Sequence, residues 1–433
     1  MKNKLFLGSL IFALSTLTIF AQGVKPSPTP TRPRVIVVGS APTATPTPKS
    51  VVITNTLPSP TPTPVSTPRP TPLPTPFPSA TPIPTPLPIY PNNAPSLSFG
   101  QIKSKIAEAK RQMQGRPIPI AMTDSFLATD VLRMAFYDAK TAQIDFVVLT
   151  KTVFLAKDMF IPTTSTNGKN VTVRIIRANG VNTPITIVDD RNQAHTPLVV
   201  QYPIERNGML AEMAYYTSTH PGVITPEVIN AGKLYVRNTI DIARAKLQEK
   251  GIYISPQVAD IAERLAAVEH VDHQRFRNEY HLNVYNDVFT LFALNEGDTY
   301  RYAVSSAGAG GMVQMIPPTY RMVRSWHPNV PLMPDFVEGM RNHVNASEAM
   351  LLYMQRTWND LIASPTVSGA VLNGIATQEQ LMAAGYNSNP ARLAGYINRG
   401  GENWTNLIPR ETKIYLQIYD SIEKYVPMTP RTR

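Results

Sequence analysis

Glu296-Gly297-Asp298-Thr299-Tyr300-Arg301-Tyr302-Ala303-Val304-Ser305-Ser306-Ala307-Gly308-Ala309-Gly310-Gly311-Met312-Val313-Gln314 is the stretch on which the reading of this chain turns. An apolar run at helical spacing, Val288 to Leu294, ends just before the lone carboxylate of Glu296. Apolar surroundings disfavour a charged carboxyl and raise its pKa, which is how a glutamate keeps its proton and serves as a general acid. The glycine-rich turn Gly308-Ala309-Gly310-Gly311 then lets a ligand approach the backbone closely. Gln314 closes the stretch with an amide that both donates and accepts. A glutamate at a helix end is more often a solvated surface residue, so this stretch gains its weight only in combination with others downstream.

Two such blocks are Gly385-Tyr386-Asn387-Ser388-Asn389-Pro390 and Ile408-Pro409-Arg410-Glu411-Thr412-Lys413-Ile414-Tyr415. Together the three resemble the motifs of the SLT-type lytic transglycosylases, a lysozyme-like family. That family's first block reads Glu-Ser, then Ala-x-Ser, then Gly-Ala-x-Gly-Leu-Met-Gln and a Pro. Ala303, Ser305, Gly308, Ala309, Gly311, Gln314 and Pro317 fall at those offsets from Glu296. Gly297, Thr299, Arg301 and Met312-Val313 depart from the pattern. The resemblance covers residues 255–427.

It implies an all-α, lysozyme-like C-terminal domain that cleaves the β-1,4 bond between N-acetylmuramic acid and N-acetylglucosamine in peptidoglycan. By the resemblance, Glu296 protonates the leaving oxygen and then takes the C6 hydroxyl proton, closing a 1,6-anhydro ring. Tyr386 orients it; Ser305, Gly308, Gln314, Asn387 and Glu411 hold substrate, with no cofactor and no metal. Two other readings stay open. One is a non-catalytic peptidoglycan-binding or assembly protein. The other is a hydrolase of the goose-type lysozyme kind, with Asp298 the nearest second carboxylate.

Helical spacing continues through the C-terminal half. Thr225-Pro226 and Ser255-Pro256 are start signals, and Thr377 with Gln380 forms a capping box. Helices are predicted near 226–249, 256–270, 282–294, 343–362, 378–385, 390–398 and 410–425, with another over 98–114. Strand-like runs occupy 131–137, 144–150, 171–177, 185–188 and 198–202, two of them bounded by Asn167-Gly168 and Asn179-Gly180. His270 and His273 do not form a His-Glu-x-x-His pair, so metal binding is not expected there. Trp404 is a candidate for stacking on a sugar, with core packing the commoner role.

Of the 42 prolines in 433 residues, 23 fall between Val24 and Pro95, in Pro-Thr repeats that predict an extended, disordered spacer. Lys2 and Lys4, the uncharged run Leu5 to Phe20, and Ala21 read as an export signal cut after Ala21. Without cleavage it is an N-terminal membrane tether. Residues 1–95 hold seven basic residues and no acid, so only +4 of the +11 net charge lies on the remainder and a nucleic-acid partner is not expected. The absence of cysteine excludes disulfides and thiolate chemistry.

The expected fold class is therefore α+β: a signal at 1–21, a Pro/Thr-rich linker at 22–97, a small accessory β-containing region at 98–225, and a helical lysozyme-like domain at 226–433. The expected partner is peptidoglycan glycan strands, and the expected location is the periplasm or cell envelope.

Overall fold

The computed structural model describes residues 93–94, 96–116 and 129–432. The export signal and nearly all of the Pro/Thr linker lie outside the described residues.

Helix α1 (Phe99–Gln114) starts at a capping box. Ser98 accepts from the Gln101 backbone N–H, and the Gln101 side chain accepts from that of Ser98. Its stripe of Ile102, Ile106, Ala109 and Met113 is buried, sharing a cluster with Ala135, Ile144, Phe146 and Leu198. Those partners lie on a sheet built from β1 (Val131–Asp138), β2 (Gln143–Thr150), β3 (Phe160–Thr164), β4 (Asn170–Ile175), β5 (Ile185–Asp189), β6 (Ala194–Arg206) and β7 (Met209–Tyr216). The short helix α2 (Lys151–Phe154) joins β2 to β3.

Every pairing is antiparallel, in the order β2-β1-β6-β5-β4-β3, with β7 also on β6. β6 is the hinge of the sheet. Ala194 and His195 pair with β5, whereas the stretch from Val200 onward pairs with β7. A strand that serves two sets of neighbours bends the sheet, and here it curls into a half-barrel. The Thr166 N–H, just past β3, donates to the Phe146 carbonyl on β2 at 2.8 Å and draws the two ends together.

The helices beyond the sheet are α3 (Pro226–Glu249), α4 (Pro256–Val268), α5 (His273–Asn278), α6 (His281–Asn295), α7 (Pro317–Trp326), α8 (Phe336–Arg341), α9 (His343–Ile362), α10 (Pro365–Leu372), α11 (Gln378–Asn387), α12 (Leu393–Gly400) and α13 (Arg410–Tyr425). Caps decide several of their starts. Thr225, Ser255 and Thr377 each accept from a first-turn N–H, and Pro226 and Pro256 occupy first-turn positions. At Gly232 the α3 and α6 backbones nearly touch, and a Cβ there would sit 1.8 Å from the Phe289 carbonyl oxygen.

This corrects the expected fold class. A small β-rich region followed by an all-α, lysozyme-like domain is not what forms. The middle of the chain is a curled antiparallel half-barrel, and many helices fill the C-terminal half. Met134, Val173, Ile187 and Val200 from the sheet share one buried cluster with Val236, Leu265, Phe289 and Met350 from the helices. The strand runs read from sequence omit β3 and β7 and give β6 less than half its length. Pro162 breaks the first pattern, and Met209 to Tyr216 does not alternate cleanly in burial. Asn207-Gly208, both at positive φ, is the hairpin signal that joins β6 to β7. No described helix is long and apolar enough to cross a membrane.

Candidate active site

A cleft of about 930 Å³ runs between the helices and one connection of the sheet. Glu269 lies in it, directly after α4, where Leu265, Ala266, Ala267 and Val268 are all buried. The residue is half-buried and lines the cleft. Tyr415 of α13 donates its hydroxyl to Glu269 Oε1 at 2.6 Å. Burial pushes the Glu269 carboxyl up to about 8; the Tyr415 hydrogen bond pulls it down, and the nearby Glu411 adds to the rise. Glu269 therefore carries its proton at neutral pH. Burial, followed by the neighbouring Glu269, holds the Tyr415 and Tyr386 phenols well above their usual range.

The glycine-rich turn forms a tight loop beside this carboxyl. Ser305 Oγ accepts from the Ala309 N–H at 3.0 Å, and the Gly308 N–H donates to the Ser305 carbonyl at 2.9 Å. Gly310 forms antiparallel bridges with Val304 and Met315. Gly311 has φ +66, and a Cβ there would lie 2.2 Å from the Met340 carbonyl oxygen, so the position requires glycine. Gln314, at φ +46, donates Nε2 to the Gly311 carbonyl at 2.9 Å, which leaves Oε1 as an acceptor. The Tyr386 hydroxyl donates to the Val313 carbonyl at 2.7 Å and so ties α11 to the far end of the loop.

Of the residues singled out in the sequence, Ser305, Gln314, Asn387 and Glu411 line the cleft. Asn387 Oδ1 accepts from Thr412 Oγ1 at 2.9 Å, which leaves its amide N–H groups as donors. Gly308 shapes the turn at φ +77 without lining the cleft. Glu296 does not join them. It sits at the end of α6 at φ +48, its side chain 54% exposed and paired with Lys103 Nζ of α1 at 2.6 Å. With Asp298 it borders a separate, smaller depression alongside Lys103 and Lys110. Trp404 is buried and donates Nε1–H to the Ile375 carbonyl at 3.2 Å, away from the cleft.

Sequence reasoning does not select Glu269 and Tyr415 as an acid and its partner, although the signal is present twice. The run Leu265 to Val268 before Glu269 and the run before Glu296 both end an apolar helix on a carboxylate. The interval to the glycine-rich turn favours Glu296. Two helices, α5 and α6, lie between Glu269 and that turn.

The sheet supplies the other wall. Arg177, Asn179, Val181 and Asn182, all in the connection between β4 and β5, line the cleft with Arg275, Arg277 and Asp287. Between the two polar groups, His270 stacks face to face on Tyr300 at 3.3 Å and bonds Nε2 to the Met312 carbonyl at 2.9 Å. Burial lowers His270 to about 3, so the ring is neutral, and its Nε2 is the donor. His281 stacks on Phe276 and meets Ser421 Oγ through Nδ1. Among the described residues no three potential ligands gather as a metal site.

Comparison of the chain with protein-family models, curated proteins and solved structures finds no match in any of the three.

Proposed function

We propose that this protein is a lytic transglycosylase acting on the β-1,4 glycan of peptidoglycan in the cell envelope, with Glu269 as its acid and base. The observation that carries the reading is a carboxyl hydrogen-bonded by Tyr415 and lining a cleft shared with the polar side chains of Ser305, Gln314 and Asn387. Protonated Glu269 gives its proton to the glycosidic oxygen as the C1–O bond breaks. The acetamido oxygen of the substrate stabilises the electron-poor anomeric carbon. The C6 hydroxyl oxygen then bonds to C1 while the Glu269 carboxylate takes its proton, which restores the acid. Gln314 Oε1 and the Asn387 amide N–H groups are the free hydrogen-bonding atoms that hold sugar. The reaction consumes no water.

A hydrolytic reading has one observation in its favour. Glu411 lines the same cleft and is close enough to raise Glu269, so it is the carboxylate that would activate a water. Asp298, outside the cleft, is not. Mass spectrometry of digested peptidoglycan separates the two. Anhydro ends support the transglycosylase, reducing ends the hydrolase, and no product at all a binding or assembly protein. Glu269→Gln should abolish whichever product appears.

A further inference from the structure

Three guanidinium groups line the cleft on its sheet side, and their pairing is uneven. Arg275 is held bidentate by Glu279, with bonds of 2.7–3.0 Å, and meets Asp287 at 2.8 Å. Asp272, the remaining acid there, caps α5, its Oδ1 accepting from the Gln274 and Arg275 N–H groups. Arg177 reaches Asp287 only at 3.9 Å, a carboxylate that Arg275 already occupies. Arg277, exposed at the cleft, forms no salt bridge among the described residues. Backbone hydrogen bonds tie the segment on either side of Arg177. Ile176 N–H donates to the Pro184 carbonyl at 3.0 Å, and Asn179 N–H to Thr183 Oγ1 at 2.9 Å. Ser218 occupies Asn182 Oδ1 at 2.7 Å, which leaves the Asn182 amide N–H groups as donors.

An arginine with its fork unfilled, lining the same cleft as an amide donor and a second arginine that forms no salt bridge among the described residues, matches a carboxylate. We infer that the β4–β5 connection and α5 form a subsite where Arg177 and Arg277 bind a carboxylate carried by the glycan strand. The half-barrel would then read the strand's anionic substituents while the helices cleave its backbone. The inference rests on the peptidoglycan reading. Two sources share the chemistry: the lactyl carboxylate of peptide-free strands and the carboxylates of the stem peptides.

The test measures binding of the full chain carrying Glu269→Gln, with and without Arg177→Gln and Arg277→Gln. Three ligands are used: peptide-bearing strands, peptide-free strands, and a chitin oligomer with no carboxylate. The arginine substitutions should weaken one or both carboxylated ligands about tenfold and leave the chitin oligomer unchanged; the ligand affected identifies the source. Equal losses on all three, or none, would overturn the subsite while leaving the enzyme reading intact. If wild-type protein cleaves and binds no strand at all, both fall together.

Discussion

Glu269 and Glu296 are both glutamates at the end of apolar helices, and their surroundings give them opposite fates. One is half-buried in the cleft and keeps its proton; the other is solvated and bound to Lys103. Glu269→Gln should retain the fold and lose about 10²–10⁴ of the rate, whereas Glu296→Gln should change turnover by less than about twofold, as exposed substitutions usually do. Steady-state cleavage of purified sacculi compares them directly. Because the first step needs the protonated acid, kcat/KM should fall above about pH 8. Tyr415→Phe removes a bond that favours the carboxylate, so this descending limb should move to higher pH. A limb that stays put or moves down would show that Tyr415 does not tune the acid.

At the scale of elements, what could be read from sequence tracks the local chemistry. Ser98, Thr225, Ser255 and Thr377 announce helices because a capping oxygen and a first-turn proline or glutamine act within four residues. The predicted helix over 343–362 coincides with α9, whose periodic stripe is long. Strands depend on partners far along the chain. β3 reads Phe-Ile-Pro-Thr-Thr, and β7 exposes Met209 and Leu210, so neither carries the alternation of apolar and polar residues that marks a half-buried strand in sequence. The site was legible in part. The glycine-rich turn, Asn387 and Glu411 carry local signatures, whereas Glu269 and Arg177 become site residues only when α4 and the β4–β5 connection meet across the cleft. Close contacts between elements give a direct check. Gly311→Ala forces a methyl onto the Met340 carbonyl at a positive φ, and Gly232→Ala forces one onto Phe289. Each should destabilise by about 2–4 kcal/mol, read as a lowered melting temperature. A Gly311→Ala protein that melts like wild type would show that the turn can shift freely.

On the scale of the whole molecule, the sheet is more than an appendage to the helices. The three family-like blocks all lie beyond residue 255, which on its own would make 96–225 dispensable for cleavage. Yet Met134, Val173 and Val200 are buried against the helical core, and Arg177 lines the cleft. A fragment spanning 250–433 should therefore bind a hydrophobic dye and melt without a sharp transition, in contrast to the full chain. Cooperative melting of that fragment would show that the shared core is not essential. The aromatic side chains of the cleft carry a practical consequence. Tyr216, Tyr300, Tyr302 and Tyr415 line it, and none of the three tryptophans does. Trp404 is sealed inside, and Trp326 stacks on Tyr353 with the Arg356 guanidinium over its ring. Filling the cleft should thus perturb the near-ultraviolet absorption of the phenol rings and leave indole emission almost unchanged. A titration followed by tyrosine difference absorbance would detect an occupant that the usual fluorescence assay overlooks.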